Sequence, residues 1–451
     1  MIPVLTPQEM AEVDRAAPEA VEALISRAGA ATARTAIRLL GGTYGRRVVV
    51  VAGKGNNGAD GRDAGVRLAR QGVRVTVVDA SDAGDRLPTC DLVVDAAYGT
   101  GFRGGYRAPD PGGAPVLAVD IPSGVDGLTG EAGEGSAQAA VTVTFAALKP
   151  GLLLNPGRER AGSVEVADIG LDVSGAKAVL VEPDDVADWL PERPVATHKW
   201  KSAVWVAAGS PGMAGAAHLC ARAAMRAGAG AVRLGIPGSA PDPGAPEVVG
   251  RTPPRDGWDA YVLEDSLRSK ALVVGPGLPR TDATREAILR LLPASPLPVV
   301  LDADGLYALG QRSEAARVLG ARSAPTVITP HEGEYARLAG SPVVADRLGA
   351  ARDLAAGLRV TVLLKGSTTV VASPDGQVMV VTTGDSRLAT AGSGDVLAGI
   401  VGAFLAMGVD ALHAAAAAAF VHGCAARLGW RRGLVAGDLL DLLPAALVQL
   451  A

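Results

Sequence analysis

The chain has 451 residues, of which 48% are hydrophobic and 20% charged, and its formal net charge is −4. This length favours two or three domains, and the composition is that of a well-packed globular protein. The small acidic excess, with no block of basic residues, argues against nucleic acid or a membrane surface as the main partner. Three widely spaced cysteines favour neither disulfides nor a metal cluster. With no signal peptide and no apolar stretch long enough to span a bilayer, we expect a cytoplasmic protein.

The first predicted elements are a helical region and then short apolar strands. Thr6-Pro7-Gln8-Glu9 has the N-cap, proline and glutamate of a helix start. Helical sequence continues, with a break at Pro18, to Gly41. The elements that follow are a strand at 48–51, a helix at 60–71, and strands at 73–78, 91–95, 116–120 and 141–145. Continuous apolar strands are typical of a parallel sheet buried on both faces.

A segment rich in proline and charge, residues 182–199, interrupts this alternation, and we place a linker there. A second α/β series follows it. The predicted elements are strands at 203–207, 231–236, 272–274, 299–301, 326–328 and 360–364, a hairpin of 369–372 with 378–382, and helices at 216–227 and 394–407. The sequence therefore predicts two α/β domains, residues 1–190 and residues 195–451.

Ligands of α/β sheets bind outside the carboxyl ends of the strands. Four such ends in the first domain are polar or glycine-rich: GKGNNGAD (53–60), DAAYGTG (95–101), DIPSG (120–124) and KPG (149–151). The first offers backbone N–H groups and a helix N-terminus to an anion, but it matches neither a Walker A loop nor the dinucleotide fingerprint. Taken alone, its glycines and asparagines could equally make a tight turn.

Asp95 and Asp120 both end apolar strands, and neither has a basic neighbour in the sequence. A carboxylate in such a place is costly unless it is paired, hydrated or bound to a cation. A hard cation with oxygen ligands is a reasonable partner. Asn57, Asp95 and Ser123 would supply its ligands.

Taken together, GKGNNGADG, DAAYGTG and DIPSG, with LISRAG at 24–29, resemble the NAD(P)H-hydrate epimerases over roughly residues 6–170. The resemblance implies a Rossmann-like three-layer domain in which Asn57, Asp95 and Ser123 coordinate potassium and Asp120 performs acid–base catalysis. The implied substrate-binding residues are Asn56, Asn57, Gly58, Ala59, Asp60, Gly99, Thr100, Gly101, Phe102, Arg103, Gly104, Gly105 and Asp120. Ala59 replaces the family's usual glycine, which matters only if the backbone there needs a positive φ.

Three features of the second domain carry chemistry. Gly392 and Gly394 begin a helix whose N–H groups can hold an anion. Asp395 is placed to accept a proton from a substrate hydroxyl. The alternative is that Asp395 is a plain N-cap residue. Lys365 ends a strand before serine and threonines, which suits a nucleotide phosphate, although a solvated hairpin lysine would look the same. His331 could bond a ligand or merely begin a helix.

The Gly-x-Gly-Asp helix start resembles the ribokinase-like superfamily. The fuller set of motifs resembles the ADP-dependent NAD(P)H-hydrate dehydratases from about residue 197 onward: HKW (198–200), AAGSPGMAGAAHL (207–219), GPGL (275–278), LDADGL (301–306), TPHEGE (329–334), LLKGSTT (363–369) and AGSGD (391–395). The implied substrate contacts are Ala216, Gly277, His331 and Asp395, and the implied ADP contacts are Lys365, Gly366, Ser367, Thr368, Thr369 and Gly394. Asp395 would be catalytic, with magnesium accompanying ADP. Ser393 and Trp200 depart from the usual threonine and glycine.

Both domains thus point to the same metabolite. We interpret the chain as a bifunctional repair enzyme that interconverts the R and S epimers of NADHX and NADPHX. It would then dehydrate the S epimer by phosphorylating its hydroxyl and eliminating phosphate. The expected partners are these small molecules and a second copy of the chain. One alternative is an ordinary ribokinase-like kinase with a stable phosphorylated product; another is a first domain that only senses a ligand or mediates assembly. The preference for ADP over ATP rests on the resemblance alone.

Overall fold

The computed structural model describes residues 1–102 and 104–450. They divide into two compact units: the smaller unit is residues 2–179, and the larger unit is residues 180–450 together with Met1. The division falls just before the segment predicted as the linker. That segment is partly helical, because α5 (Pro183–Trp189, numbered with the elements below) lies within it.

The smaller unit alternates strands and helices. Its helices are α1 (Pro7–Ala16), α2 (Val21–Leu40), α3 (Asn56–Arg70) and α4 (Gly157–Ala161). Its strands are β1 (Ile2–Val4), β2 (Arg47–Ala52), β3 (Arg74–Asp79), β4 (Leu92–Ala96), β5 (Val116–Val119), β6 (Val141–Phe145) and β7 (Ser163–Ala167), with β8 (Ala178–Leu180) at the division. The predicted start of α1 is confirmed: Thr6 Oγ1 accepts from the N–H of Glu9, whose carboxylate accepts from the N–H of Thr6.

Strands β2 to β7 form a parallel sheet in the order β3-β2-β4-β5-β6-β7. Helices α2 and α3 pack on one face with the apolar residues of β2 and β4, whereas Val49, Val51 and Val93 on the other face pack against loop residues such as Leu87. The strand order reverses between β2 and β4. The loops after these two strands therefore open into the same crevice, which is where such sheets bind ligands.

Two predictions for the smaller unit were wrong in detail. Strand β3 lies at the edge of the sheet and is largely exposed, with Val77 at 47%, so it is not buried on both faces. Helix α3 begins at Asn56 rather than Asp60. The residues predicted to form the loop before the helix form its first helical turn instead. Strand β7, which was not predicted, extends the sheet beyond β6.

The larger unit has a longer series of elements. After α5 its helices are α6 (Gly215–Arg226), α7 (Trp258–Asp265), α8 (Asp282–Ala294), α9 (Asp304–Ala308), α10 (Arg312–Gly320), α11 (Glu332–Ala339), α12 (Arg347–Leu358), α13 (Ser393–Ala406), α14 (Ala411–Leu428) and α15 (Ala436–Val448). Its strands are β9 (Ala203–Ala207), β10 (Ala231–Gly235), β11 (Val248–Arg251), β12 (Ala271–Val274), β13 (Val299–Leu301), β14 (Thr326–Ile328), β15 (Thr361–Leu364), β16 (Thr369–Ala372) and β17 (Val378–Val381).

These strands follow the order β17-β16-β15-β14-β13-β12-β9-β10-β11. The strands from β9 to β15 pair in parallel, and the predicted hairpin of β16 and β17 adds antiparallel strands. The order reverses between β9 and β12, so the loops after these strands form the corresponding crevice of this unit.

Helices α13 and α14 are apolar and largely buried in the larger unit, as are the strands β9 and β12 to β15. Of the described helices, α14 is long and apolar enough to cross a membrane by length and composition, contrary to the expectation that no apolar stretch reaches that length. Two thirds of that helix, 67%, is buried within the protein, as in the core helix of a globular domain.

Candidate active sites

The crevice of the smaller unit holds a cavity of about 570 Å³. It is lined by the predicted residues Asn56, Asn57, Asp60, Gly99, Thr100, Gly101, Phe102 and Asp120, and also by Asp14, Lys54, Tyr98 and Lys149. The loops after β2 and β4 and the ends of β5 and β6 are thus brought together, as the motifs predict. Arg103, another predicted contact, lies outside the described residues.

The loop after β2 ends in an open helix N-terminus. The N-cap of α3, Gly55, provides no side-chain cap, so N–H groups of the first turn remain available to an anion. Close packing requires glycine here: a Cβ on Gly58 would overlap the carbonyl of Gly53, and one on Gly53 would overlap the carbonyl of Ala97. Ala59 is not among the residues with positive φ, so its methyl group causes no backbone strain.

Asn57 and Asp95 are buried polar groups that fit a cation. Neither amide atom of Asn57 has a hydrogen-bond partner among the described residues, and a buried unpartnered amide calls for a ligand. Asp95 accepts from the N–H and the Oγ of Ser123 at 2.8 and 2.6 Å. Burial raises the pKa of Asp95, and no lysine or arginine of the described residues pairs with it. Carboxylate, hydroxyl and amide oxygens are the ligands of a hard cation.

Asp120 has no basic neighbour in the sequence, but in the structure it has a basic partner. Its Oδ1 accepts from Lys149 Nζ at 2.5 Å and from Thr144 Oγ1 at 3.0 Å. Lys149 lies in the segment that follows β6, the neighbouring strand, and its side chain is 2% exposed. The backbone of Asp120 is left-handed, with φ +65°, and Ile121 N–H donates across it to Val119. This is a strained γ-turn, a feature that clusters at functional sites.

Asp60 and Asp14 face the same cavity. Burial, together with the charges of Asp120, Asp63 and Asp14, raises the pKa of Asp60 to about 8. Burial also raises the pKa of Asp14. The cavity therefore combines a carboxyl group that holds its proton at neutral pH with a carboxylate paired to an ammonium group, which is an arrangement for acid–base work.

The loop after β4 supplies an aromatic wall. The rings of Tyr98 and Phe102 lie 4.1 Å apart, centroid to centroid. The predicted contacts farther along this loop do not line the cavity: Gly104 borders a shallower pocket. Gly105 borders a separate cavity of about 720 Å³ on the opposite face of the sheet, together with Asp95 and Tyr106.

A cluster of polar side chains in the larger unit centres on Asp302, which directly follows β13. Its Oδ1 accepts from Lys365 Nζ at 2.6 Å and from Thr329 Oγ1 at 2.7 Å. The carboxylate is buried, and Lys365 is largely so. The lysine is therefore not the solvated hairpin residue of the alternative interpretation. Lys365 lies beside the N-terminus of α13: a Cβ on Gly394 would be 3.2 Å from the lysine Nζ.

Asp395 lies in the first turn of α13. The N-cap, Gly392, is left-handed at φ +88° and provides no side-chain cap, so the N–H groups beside it are available to an anion. Burial and the charge of Asp302 raise the pKa of Asp395 to about 7. A carboxyl group with this pKa can exchange a proton at neutral pH.

The remaining predicted contacts of the larger unit divide into three groups. A Cβ on Gly277 would lie 3.1 Å from the methyl of Ala216, so these two are neighbours at the crevice. His331 caps α11, with its Nδ1 accepting from the N–H of Gly333 at 3.0 Å, as the alternative interpretation held. Residues 366–368 form the turn from β15 into β16 that follows Lys365, and Thr369 begins β16.

The two departures from the family pattern have structural explanations. Ser393 keeps a hydroxyl group and donates it to the carbonyl of Leu388 at 2.7 Å. Trp200 stacks with the guanidinium groups of Arg233 and Arg268, at 4.8 and 4.0 Å from its ring centre. It is therefore a packing residue.

The sequence missed four titratable residues at these sites: Asp14 and Lys149 in the smaller unit, and Glu334 and His422 in the larger. Burial raises the pKa of Glu334, which interacts with Lys365. Burial and Lys365 lower the pKa of His422 to about 4. Lys149 and Glu334 had a signal, since they lie in the KPG and TPHEGE motifs. Asp14 and His422 lie within helical sequence with no distinguishing motif.

Two α/β units, each with a carboxyl group of raised pKa near an uncapped helix N-terminus, define an enzyme that handles nucleotide-like ligands. Residues 204–446 match the family described as NAD(P)H-hydrate dehydratase, and residues 21–85 and 78–151 match the family described as YjeF-related protein N-terminus. The chain belongs to the bifunctional NAD(P)H-hydrate repair enzymes.

Individual relatives support this assignment along the chain. It is 36% identical to the bifunctional NAD(P)H-hydrate repair enzyme Nnr of Moorella thermoacetica, covering 99% of this chain and 97% of the relative. It is 40% identical to that of Mycobacterium leprae, covering 90% and 89%. A solved structure, the ADP/ATP-dependent NAD(P)H-hydrate dehydratase of Bacillus subtilis co-crystallised with ATP and Mg²⁺, is 31% identical with a TM-score of 0.51, covering 60% of this chain and 98% of that one.

Proposed function

We propose that this chain repairs hydrated nicotinamide nucleotides by two activities, with residues 1–190 epimerising NADHX and NADPHX and residues 195–451 dehydrating the S epimer. The observation that carries the proposal is the pair of sites described above. Each places a carboxyl group of raised pKa, Asp60 in one unit and Asp395 in the other, beside an open helix N-terminus. Family membership supplies the substrate.

In the smaller unit, the first turn of α3 binds the phosphates of the hydrated nucleotide. The aromatic wall of Tyr98 and Phe102 packs against one of its rings. Asp120 contacts the hydrated nicotinamide and exchanges protons there. The residues that would bind the substrate are those of the epimerase motifs, namely Asn56–Asp60, 99–105 and Asp120.

Potassium is the cation proposed for Asn57, Asp95 and Ser123. The unpartnered Asn57 amide is the observation that supports it, and the oxygen donor set suits a hard, weakly bound ion. When bound, the ion would fix the loops after β2 and β4 against each other. It would take no part in proton transfer.

In the larger unit, Lys365 and the N–H groups of residues 392–394 hold the phosphates of ADP, with residues 366–369 and Gly394 near the nucleotide. Ala216, Gly277, His331 and Asp395 contact the hydrate. Asp395 accepts the proton of the hydrate's hydroxyl as that oxygen takes up the phosphoryl group. Phosphate then leaves far more readily than hydroxide would, and its loss restores the reduced nicotinamide ring.

Magnesium enters with the nucleotide, as suits phosphoryl transfer, and the B. subtilis relative was crystallised with ATP and Mg²⁺. For this chain we propose ADP as the phosphoryl donor, a cytoplasmic location, and a homo-oligomer that binds neither nucleic acid nor membrane. These proposals extend the family's properties to this chain.

The test is recovery of reduced-nicotinamide absorbance from a mixture of both hydrate epimers, with potassium and magnesium present. Reactions contain ADP, ATP or neither. Full recovery with ADP at a catalysed rate supports both activities. Recovery of the S epimer alone would reduce the smaller unit to a binding module. A phosphorylated hydrate that accumulates without elimination would instead support an ordinary kinase.

A further inference from the structure

The carboxyl groups around the cavity of the smaller unit have unequal surroundings. Asp14 comes from α1, Asp60 from α3 and Asp120 from the end of β5, and all three line the cavity. Only Asp120 is paired with a basic side chain in the described part of the chain. This inequality bears on which group gives a proton and which takes one.

The ammonium group of Lys149 holds Asp120 through a set of hydrogen bonds. Its ammonium group donates to Asp120 Oδ1 at 2.5 Å, to Thr144 Oγ1 at 2.8 Å and to the carbonyl of Phe145 at 3.1 Å. A buried ammonium with its three hydrogens engaged is held in one position, and it holds in place the carboxyl group that accepts from it. Lys149 is therefore a positioning residue that presents Asp120 to the cavity as a base.

Asp60 has the opposite environment. It is 8% exposed, and among the described residues no lysine or arginine forms an ion pair with it. The charged groups that face it or line its cavity are Asp14 of α1, Asp63 and Arg67 of α3, Lys54 of the loop before α3, Asp120, and Lys149. Arg67 pairs with Asp63 and Lys149 with Asp120, so neither cation pairs with Asp60. The burial of Asp60, together with the carboxylates near it, therefore favours the protonated form.

We propose that Asp60 is the general acid of epimerisation and that Asp120, held by Lys149, is the general base. This inference rests on the proposed epimerase function. Asp14 tunes the acid, because its charge favours the proton on Asp60.

The reaction balances as two steps. Asp60 gives its proton to the hydroxyl oxygen of the hydrate; the C–O bond breaks and water leaves, while the lone pair of the adjacent ring nitrogen forms a C=N⁺ bond. A water molecule then adds to the same carbon from the other face. It loses one proton to the carboxylate of Asp120, and the C=N⁺ electron pair returns to nitrogen. The net change is one proton moved from Asp60 to Asp120, and the reverse reaction uses the two groups in exchanged roles.

The test follows conversion of purified R epimer to S epimer by chromatography between pH 6 and 9.5. ADP is omitted so that the dehydratase is silent, and the spontaneous rate is subtracted. In the wild type, the catalysed rate should fall about tenfold per pH unit above about pH 8, where Asp60 loses its proton. Asp60→Asn should slow the reaction by about 10²–10⁴-fold. Asp60→Glu, which keeps a proton donor, should restore part of the rate.

Asp14→Asn provides a readout, the pH at which the rate falls, that would not change if Asp60 had only a structural role. It removes a negative charge near Asp60, so the high-pH fall should begin at lower pH. Asp79→Asn is the matched control, because Asp79 is an exposed carboxylate paired with Arg62 and does not line the cavity; it should leave the profile unchanged.

Three results separate the possibilities. The inference is wrong if Asp60→Asn keeps the wild-type rate and profile, or if Asp14→Asn leaves the high-pH fall where it is. A wild-type protein that epimerises nothing, yet dehydrates the S epimer with ADP, refutes the proposed epimerase function instead.

Discussion

The dehydratase activity should depend on pH through Asp395. Burial and Asp302 raise the pKa of this carboxyl group to about 7, and the proposed role requires the ionised form. The carboxylate is therefore lost as pH falls through about 7, and about a tenth of it remains at pH 6 against about nine tenths at pH 8. We expect kcat/KM for the S epimer to rise about tenfold from pH 6 to pH 8, since this ratio reports the free enzyme.

The assay is the initial rate of absorbance recovery with pure S epimer and saturating ADP. Asp395→Asn should lower kcat by about 10²–10⁴-fold and abolish the pH dependence. Asp304→Asn should move the profile to lower pH, because the charge of Asp304 also raises the pKa of Asp395. Epimerisation by the same preparation serves as the control for folding and concentration. A flat wild-type profile between pH 6 and 8, or an Asp395→Asn rate within threefold of wild type, would refute the reasoning.

Other perturbations should separate the two units. Replacing potassium by tetramethylammonium, or Asn57 by alanine, should stop epimerisation without changing dehydration of pure S epimer. Gly58→Ala should lower the Tm of the smaller unit, because the new methyl overlaps the Gly53 carbonyl, at a cost of about 1–3 kcal/mol. Lys365→Met should destabilise the larger unit by about 3–5 kcal/mol in denaturant unfolding, because it leaves Asp302 buried and unpaired; adding Asp302→Asn should recover part of that loss.

Each of these predictions has a contrary outcome. Equal epimerisation in both salts would remove the cation from the mechanism. An unchanged melting profile for Gly58→Ala would mean that the turn relaxes at no cost. A double variant no more stable than Lys365→Met would show that the ion pair is not the source of the loss.

The fold was predictable where a local rule decides the structure. The Thr6–Glu9 capping box and the continuous apolar strands specify their elements without tertiary information, and the structure confirms them. Strand β3 was predicted, but its burial was mispredicted, because a valine-rich run looks the same at the edge of a sheet as at its centre. Only strand order decides burial, and strand order is not local.

The candidate sites were predictable in part for the same reason. A motif at a strand end predicted Asp120, because carboxyl ends of parallel strands converge, and a glycine-rich helix start predicted Asp395. The sequence could not give Lys149 as the partner of Asp120, since 29 residues separate them and only the pairing of β5 with β6 brings them together. Asp14 carries no signal, because a carboxylate in an amphipathic helix is usually solvated.

The left-handed backbone of Asp120 affects how any mutational scan of this position must be interpreted. At φ +65°, aspartate and asparagine are the side chains best tolerated apart from glycine, and a β-branched or bulky residue adds strain. Asp120→Asn removes the charge alone, whereas Asp120→Val changes the charge and the local conformational energy together. If a selection experiment retains aspartate here, the result would reflect two requirements, proton transfer and backbone geometry. Only a comparison of the asparagine variant with the glycine and valine variants would separate them.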